Sequence, residues 1–181
     1  GRMLTASEAQ ATGAIADSRL HVEYENGAHV YVNRAKEGAW TVKDGEGKPV
    51  ELPVNGWLVF NAANGFHEVS ATLSGRRIDY VKAPEYEFLD GRGQWTEHGR
   101  LGVKGSVARR DRGAGVVELI DIYGNDRIAF ASAGKATLMA YDWEGKNLGK
   151  VEVKSPRSGW YEFAPVQNGR TYVFAGHEGS K

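Results

Sequence analysis

The chain has 181 residues, with 23 Lys and Arg against 23 Asp and Glu, and no Cys. Zero formal charge argues against a binder of nucleic-acid backbones, no run of about 20 apolar residues offers a membrane-crossing helix, and zero Cys removes disulfides, thiolate metal sites and a Cys nucleophile. A hydrophobic content of 41% is enough for a packed core, and 24 Gly beside five Trp and eight Tyr point to many turns between short strands.

Residues 1–19 stand apart. Gly1-Arg2-Met3-Leu4 reads as an artificial start on a piece of a longer chain. The Ala-rich run from Thr5 to Ala11 reads as a linker or short helix, capped by Thr5 or Ser7.

From residue 20 the apolar period is two. Val22 and Tyr24 alternate with charges, Asn26-Gly27 follows, and His29-Val30-Tyr31-Val32 resumes the alternation, which is a hairpin pattern. A strand over 39–43 enters the turn Asp44-Gly45-Glu46-Gly47. Asn55-Gly56 precedes the apolar strand Trp57-Leu58-Val59-Phe60, Asn64-Gly65 turns again, and residues 66–73 and 76–82 alternate. Further strands are expected over 103–109, 115–122, 127–131, 136–143, 150–154, 160–163 and 171–175. Turns at Arg112-Gly113, Tyr123-Gly124-Asn125, Ala133-Gly134, Glu144-Gly145, Ser158-Gly159 and Asn168-Gly169 separate them. A strand or turn about every ten residues, without a long helical period, predicts an all-β fold of antiparallel sandwich type, with immunoglobulin- or fibronectin-like proportions.

Two features favour two small sandwiches packed together over one large one. Residues 1–98 hold 10 basic and 14 acidic side chains, a net −4, and residues 99–181 hold 13 and 9, a net +4. The stretch 90–100 holds Gly91, Gly93 and Gly99 and lacks strand alternation. The expected division is therefore 1–19 linker or helix, 20–98 first sandwich, 99–181 second sandwich. An internal echo pairs Asp44-Gly45-Glu46-Gly47-Lys48 and Gly56-Trp57 with Asp142-Trp143-Glu144-Gly145-Lys146 and Gly159-Trp160, read either as a duplication or as shared turn chemistry.

The polar residues assemble no known catalytic motif. His21 and His29 flank the Asn26-Gly27 hairpin and can meet across it, with Glu23 the one further metal ligand in reach; solvated histidines are the expectation. Asp79, Glu85, Glu87 and Asp90 are the carboxylates on which a free-standing glycosidase would depend, but Glu85 and Glu87 alternate with Tyr86 and Phe88 as on a solvated strand face. The acidic turns at 44–47 and 142–147 place oxygens two residues apart, so a structural calcium there is an open reading beside a plain hairpin turn. No catalytic residue, resident metal or other cofactor is expected. Trp40, Trp57 and Trp160 read as strand residues. Trp95 and Trp143 fall in a polar loop and a hairpin tip, where an aromatic plane can stack on a sugar ring while Arg92, Gln94, Asp142 and Asn147 bond its hydroxyls.

The segment Tyr24-Glu25-Asn26-Gly27, Val30-Tyr31-Val32-Asn33-Arg34, Trp40-Thr41-Val42, Leu52-Pro53, Gly56-Trp57 resembles the β-sandwich that follows the catalytic barrel in many bacterial glycoside hydrolases. The run Ala136–Gly149 is similar to fibronectin-like accessory sandwiches on the same enzymes. The resemblance spans about residues 20–60 and 105–176. It implies a non-catalytic, ancillary region, whose partners are the catalytic domain of the same parent chain and a polysaccharide, at a periplasmic or secreted location. Membrane and nucleic acid are not among the expected partners. A structural or protein-interaction sandwich without sugar binding is the alternative.

Overall fold

The computed structural model describes residues 4–14, 18–133 and 136–176; Gly1, Arg2 and Met3, Gly134 of one expected turn, and His177 lie outside the described residues. The chain is almost entirely antiparallel β, with one short N-terminal helix, α1 (Ala6–Ala11). Thr5 caps that helix: its hydroxyl accepts from the Glu8 amide at 3.3 Å, and the Glu8 carboxylate accepts from the Thr5 amide at 2.8 Å.

Two compact units divide the chain, 1–78 and 79–181. In the first, β1 (Arg19–Glu23), β2 (Ala28–Asn33), β5 (Gly56–Asn61) and β6 (Phe66–Leu73) form an antiparallel sheet, and β3 (Trp40–Lys43) pairs with β4 (Pro49–Leu52) as a hairpin. Register sorts the sheet into two faces, because directly opposed residues share a face. Rows His21–Tyr31–Leu58–Val69 and Glu23–His29–Phe60–His67 lie on one face. Rows Leu20–Val32–Trp57–Ser70 and Val22–Val30–Val59–Glu68 lie on the other. The β3–β4 hairpin folds over the first face, where Val42, Leu52, Leu58, Phe60, Val69 and Ala71 form the core.

Strand β7 (Arg76–Lys82) carries the chain from one unit into the other. In the second unit its end pairs with β8 (Tyr86–Asp90), and the ladder continues through β11 (Ser106–Gly113), β12 (Val116–Tyr123), β18 (Thr171–Gly176), β14 (Ala136–Tyr141) and β15 (Asn147–Val151). A separate five-stranded sheet has the order β16 (Lys154–Arg157), β17 (Trp160–Phe163), β13 (Ile128–Ala131), β10 (Leu101–Val103), β9 (Thr96–His98). The two layers close a sandwich core: Phe130 and Phe163 from the smaller sheet meet Phe174 and Tyr172 from the larger at centroid distances of 5.0 and 4.7 Å.

Two expectations change, and one reading left open by the sequence is decided. The division between units falls within β7, at Ile78–Asp79, and not near residues 90–100. That stretch is itself structured: Gly91 and Gly93 donate to the carbonyls of Gly105 and Lys104, and β9 and β10 follow directly. With that boundary the charge contrast disappears, because 1–78 holds 8 basic and 9 acidic side chains and 79–181 holds 15 and 14. The echo is shared turn chemistry: in both turns the Asp Oδ1 accepts from the amides two and four residues on, at 2.9 Å each for Asp44 and at 2.9 and 2.8 Å for Asp142. The strands after the turns pair differently, β5 with β2 and β6, but β17 with β13 and β16.

Candidate functional site

The residues expected to bind sugar fall in two places. Arg92, Gln94 and Trp95 are on the β8–β9 connection, and Asp142, Trp143 and Asn147 are at the β14–β15 hairpin. Three strands, β11, β12 and β18, separate β8 from β14. Much of their polar capacity is spent on folding. Arg92 pairs with Asp79 at 2.7 Å, Asp142 holds its own turn, and Asn147 Oδ1 accepts from the Gly149 amide at 2.7 Å.

The two tryptophans differ sharply. Trp143 is 78% exposed at the hairpin tip, with the Arg170 guanidinium 4.2 Å from its ring centroid. Trp95 is half-buried. Its ring packs on Gly102, where an added Cβ would come within 3.1 Å of it, and the Arg127 guanidinium lies 3.7 Å from its centroid. Arg127 in turn pairs with Glu162 at 3.3 Å. A second set, which single-sequence reasoning missed, lies on the same outer face: Arg157 covers Trp160 at 4.1 Å and pairs with Glu97 at 2.6 Å. The reason is register. Row Lys154–Glu162–Ala129–Gly102–Glu97 crosses all five strands, and its centre is occupied by Ala and Gly. Long side chains from the edges extend over these small residues and meet there. Nothing local in the sequence marks partners 35 and 60 residues apart.

Glu87 departs from the expected solvated face. It is 1% exposed and accepts from Tyr80 Oη at 2.7 Å and from Arg100 Nε at 2.6 Å. Its cross-strand neighbour Arg109, 4% exposed, pairs with Asp111 at 2.7 Å and donates to the Ala131 carbonyl at 2.6 Å. The alternation over 85–89 holds, but Glu87 lies on the inward face with Leu89 and not on the expected solvated face. Burial, then the hydrogen bond to Glu87, pushes the Tyr80 hydroxyl well above its ordinary value. Burial opposes ionisation of Asp111, but hydrogen bonds from Arg109 and Arg100 outweigh it and lower that carboxyl. Of the other carboxylates, Asp79 pairs with Arg92, Asp90 accepts from the Arg92 amide and from Tyr123 Oη, and Glu85 is exposed.

His21 and His29 do meet: Nε2 and Nδ1 are 3.3 Å apart, with ring centroids at 5.6 Å and planes within 14°. The rings stack on Tyr31 and Phe60 at 4.0 and 4.8 Å. Burial, reinforced by His29, lowers the His21 pKa, and Glu23 opposes this. Among the described residues no group of three or more His, Cys, Asp or Glu is arranged to hold a metal ion, and no helix is long and apolar enough to cross a membrane.

Compared with protein-family models, curated proteins and solved structures, the chain matches none.

Proposed function

We propose that this chain is a non-catalytic β-sandwich region of a larger carbohydrate-active protein, working outside the cytoplasm, that packs on the catalytic domain of the same chain and contacts polysaccharide. The supporting observation is the second face of the first unit's sheet. Leu20, Val22, Val30, Val32, Trp57 and Val59 lie side by side on it across three strands, and Leu20 is 50% exposed. Solvated sheet faces alternate to polar residues, whereas a contiguous apolar patch marks an interaction surface. The sugar contact is assigned to Trp143, the one tryptophan that combines a hairpin-tip position with high exposure.

The test has two arms. In affinity electrophoresis through gels containing xylan, mixed-linkage glucan, pectin or galactan, the wild-type chain is retarded in at least one, and Trp143→Ala is not. Absence of retardation in every gel, with no signal on a glycan array, removes the sugar contact and leaves the interaction sandwich. In the full-length protein, hydrogen exchange at β1, β2 and β5 is slower than in the isolated chain. Equal exchange removes the docking surface.

A further inference from the structure

On the outer side of the second unit's larger sheet, one row crosses four strands: Asp79 on β7, Asp90 on β8, Ser106 on β11, Tyr123 on β12. Two acidic residues placed directly opposite each other repel. Arg92 answers part of that charge, taking Asp79 Oδ2 at 3.0 Å through Nε and 2.7 Å through Nη2. Its amide donates to Asp90 Oδ1 at 2.7 Å, and Tyr123 Oη donates to Asp90 Oδ2 at 2.9 Å. That leaves two carboxylates against one guanidinium, a local excess of one negative charge. It also leaves two buried oxygens with no hydrogen-bond partner in the same row: Asp79 Oδ1 and Ser106 Oγ. Ser106 is 1% exposed. Buried carboxylate and hydroxyl oxygens without partners are costly, and in native proteins such a pair signals a bound water or ion.

We propose that this row is a cation site, in which a hard divalent cation of the calcium class is held by Asp79 and Asp90, with Ser106 completing the oxygen set directly or through one water. Every donor in the row is oxygen and no His or Cys is near, which selects hard cations over zinc or copper. Calcium accepts irregular oxygen geometry, whereas magnesium demands a near-ideal octahedron and gives up its waters reluctantly. The cation supplies the positive charge that Arg92 leaves missing, and it ties β7, β8 and β11 together at one end of the row. The two acidic turns at 44–47 and 142–147 make no comparable case, since among the described residues neither turn holds a buried oxygen without a hydrogen-bond partner.

The test uses the full chain stripped of metal and titrated with CaCl2 at constant ionic strength, followed by calorimetry, thermal unfolding and terbium luminescence. Saturable calcium binding that raises the unfolding temperature is expected, with magnesium weaker. Asp79→Asn weakens calcium binding by about tenfold or more, and Ser106→Ala weakens it to a smaller extent. Asp142→Asn and Asp44→Asn leave it unchanged. The circular dichroism of metal-free Asp79→Asn matches wild type, since the substitution also relieves repulsion with Asp90. No saturable response overturns the site and leaves an ordered water only. A response abolished by Asp142→Asn or Asp44→Asn but kept in Asp79→Asn overturns it equally, by moving the ion to a turn.

Discussion

Arg127 lies with its guanidinium carbon 3.7 Å from the centre of the Trp95 ring, while its Nη1 reaches Glu162 at 3.3 Å. One face of Trp95 is thus occupied by the protein's own cation, and the edge atom Cζ2 of the ring packs close to Gly102. The residue that looks like a loop platform in the sequence works as a cover for the five-stranded sheet.

Replacing Arg127 by Ala uncovers Trp95. The expected loss of stability is about 1 kcal/mol, the scale of an exposed cation–π contact with a partly exposed ion pair. Tryptophan emission shifts to the red, and Arg127→Lys restores only part of it because the planar stack is gone. An unchanged spectrum in Arg127→Ala means that the stack is absent in solution.

The buried carboxylate predicts a larger effect. Glu87→Gln leaves the guanidiniums of Arg100 and Arg109 sharing the single carboxylate of Asp111 beside the core, and costs about 3 kcal/mol, the low end for breaking a buried pair because Arg100 is half exposed. Asp111→Asn, on a 42% exposed side chain, costs less than about 1 kcal/mol. Chemical denaturation of the two variants checks the order; equal losses contradict it.

Gly99 and Gly145 both have positive φ, +57° and +79°, but their surroundings differ. A Cβ at 99 would come within 2.5 Å of Tyr80 Oη and 2.6 Å of Glu87 Oε1, and one at 145 would meet nothing. Gly145→Ala carries only the backbone penalty of about 1 kcal/mol. Gly99→Ala carries that plus disruption of the Tyr80–Glu87–Arg100 bonds, and its unfolding midpoint falls further.

Acid destabilises the first unit through His21. The His21 pKa in the folded state lies below its ordinary 6.5, so the unfolded chain binds the proton more readily. The associated stability is fully present above pH 6.5 and is lost as pH falls through the lower folded value. Proton-detected titration places the His21 midpoint below that of His21 in the unfolded chain. His29→Gln brings it back toward the ordinary value, without restoring it fully, because burial acts first. A His21 midpoint at or above 6.5 contradicts the reading.

Much of the fold is legible in sequence because its signals are local. Asn26-Gly27, Asn64-Gly65 and Ser74-Gly75 each join strands where alternation resumes, and the observed hairpins follow them. Strand β4 is hidden in the sequence because Pro49 opens it, and β9 and β10 because three residues are too few to display alternation. The candidate sites were less legible. The turn position of Trp143 is local in the sequence, and the structure leaves its side chain 78% exposed. Trp95 gave the same local signal, but its surroundings come from Gly102, Arg127 and Glu162, on three other strands or their edges.

The sequence alone therefore determined the class of fold, the turns and the His21–His29 meeting, because each depends on neighbours within about ten residues and on a period of two. Tertiary structure alone decided which face of each strand is inside. It put Glu87 in the core and Leu20, Val22 and Val30 on an open face, and it replaced an apparent −4 and +4 division of charge with two nearly neutral units. Alternation gives two faces without naming the buried one. That choice depends on what another strand, distant in sequence, lays over it.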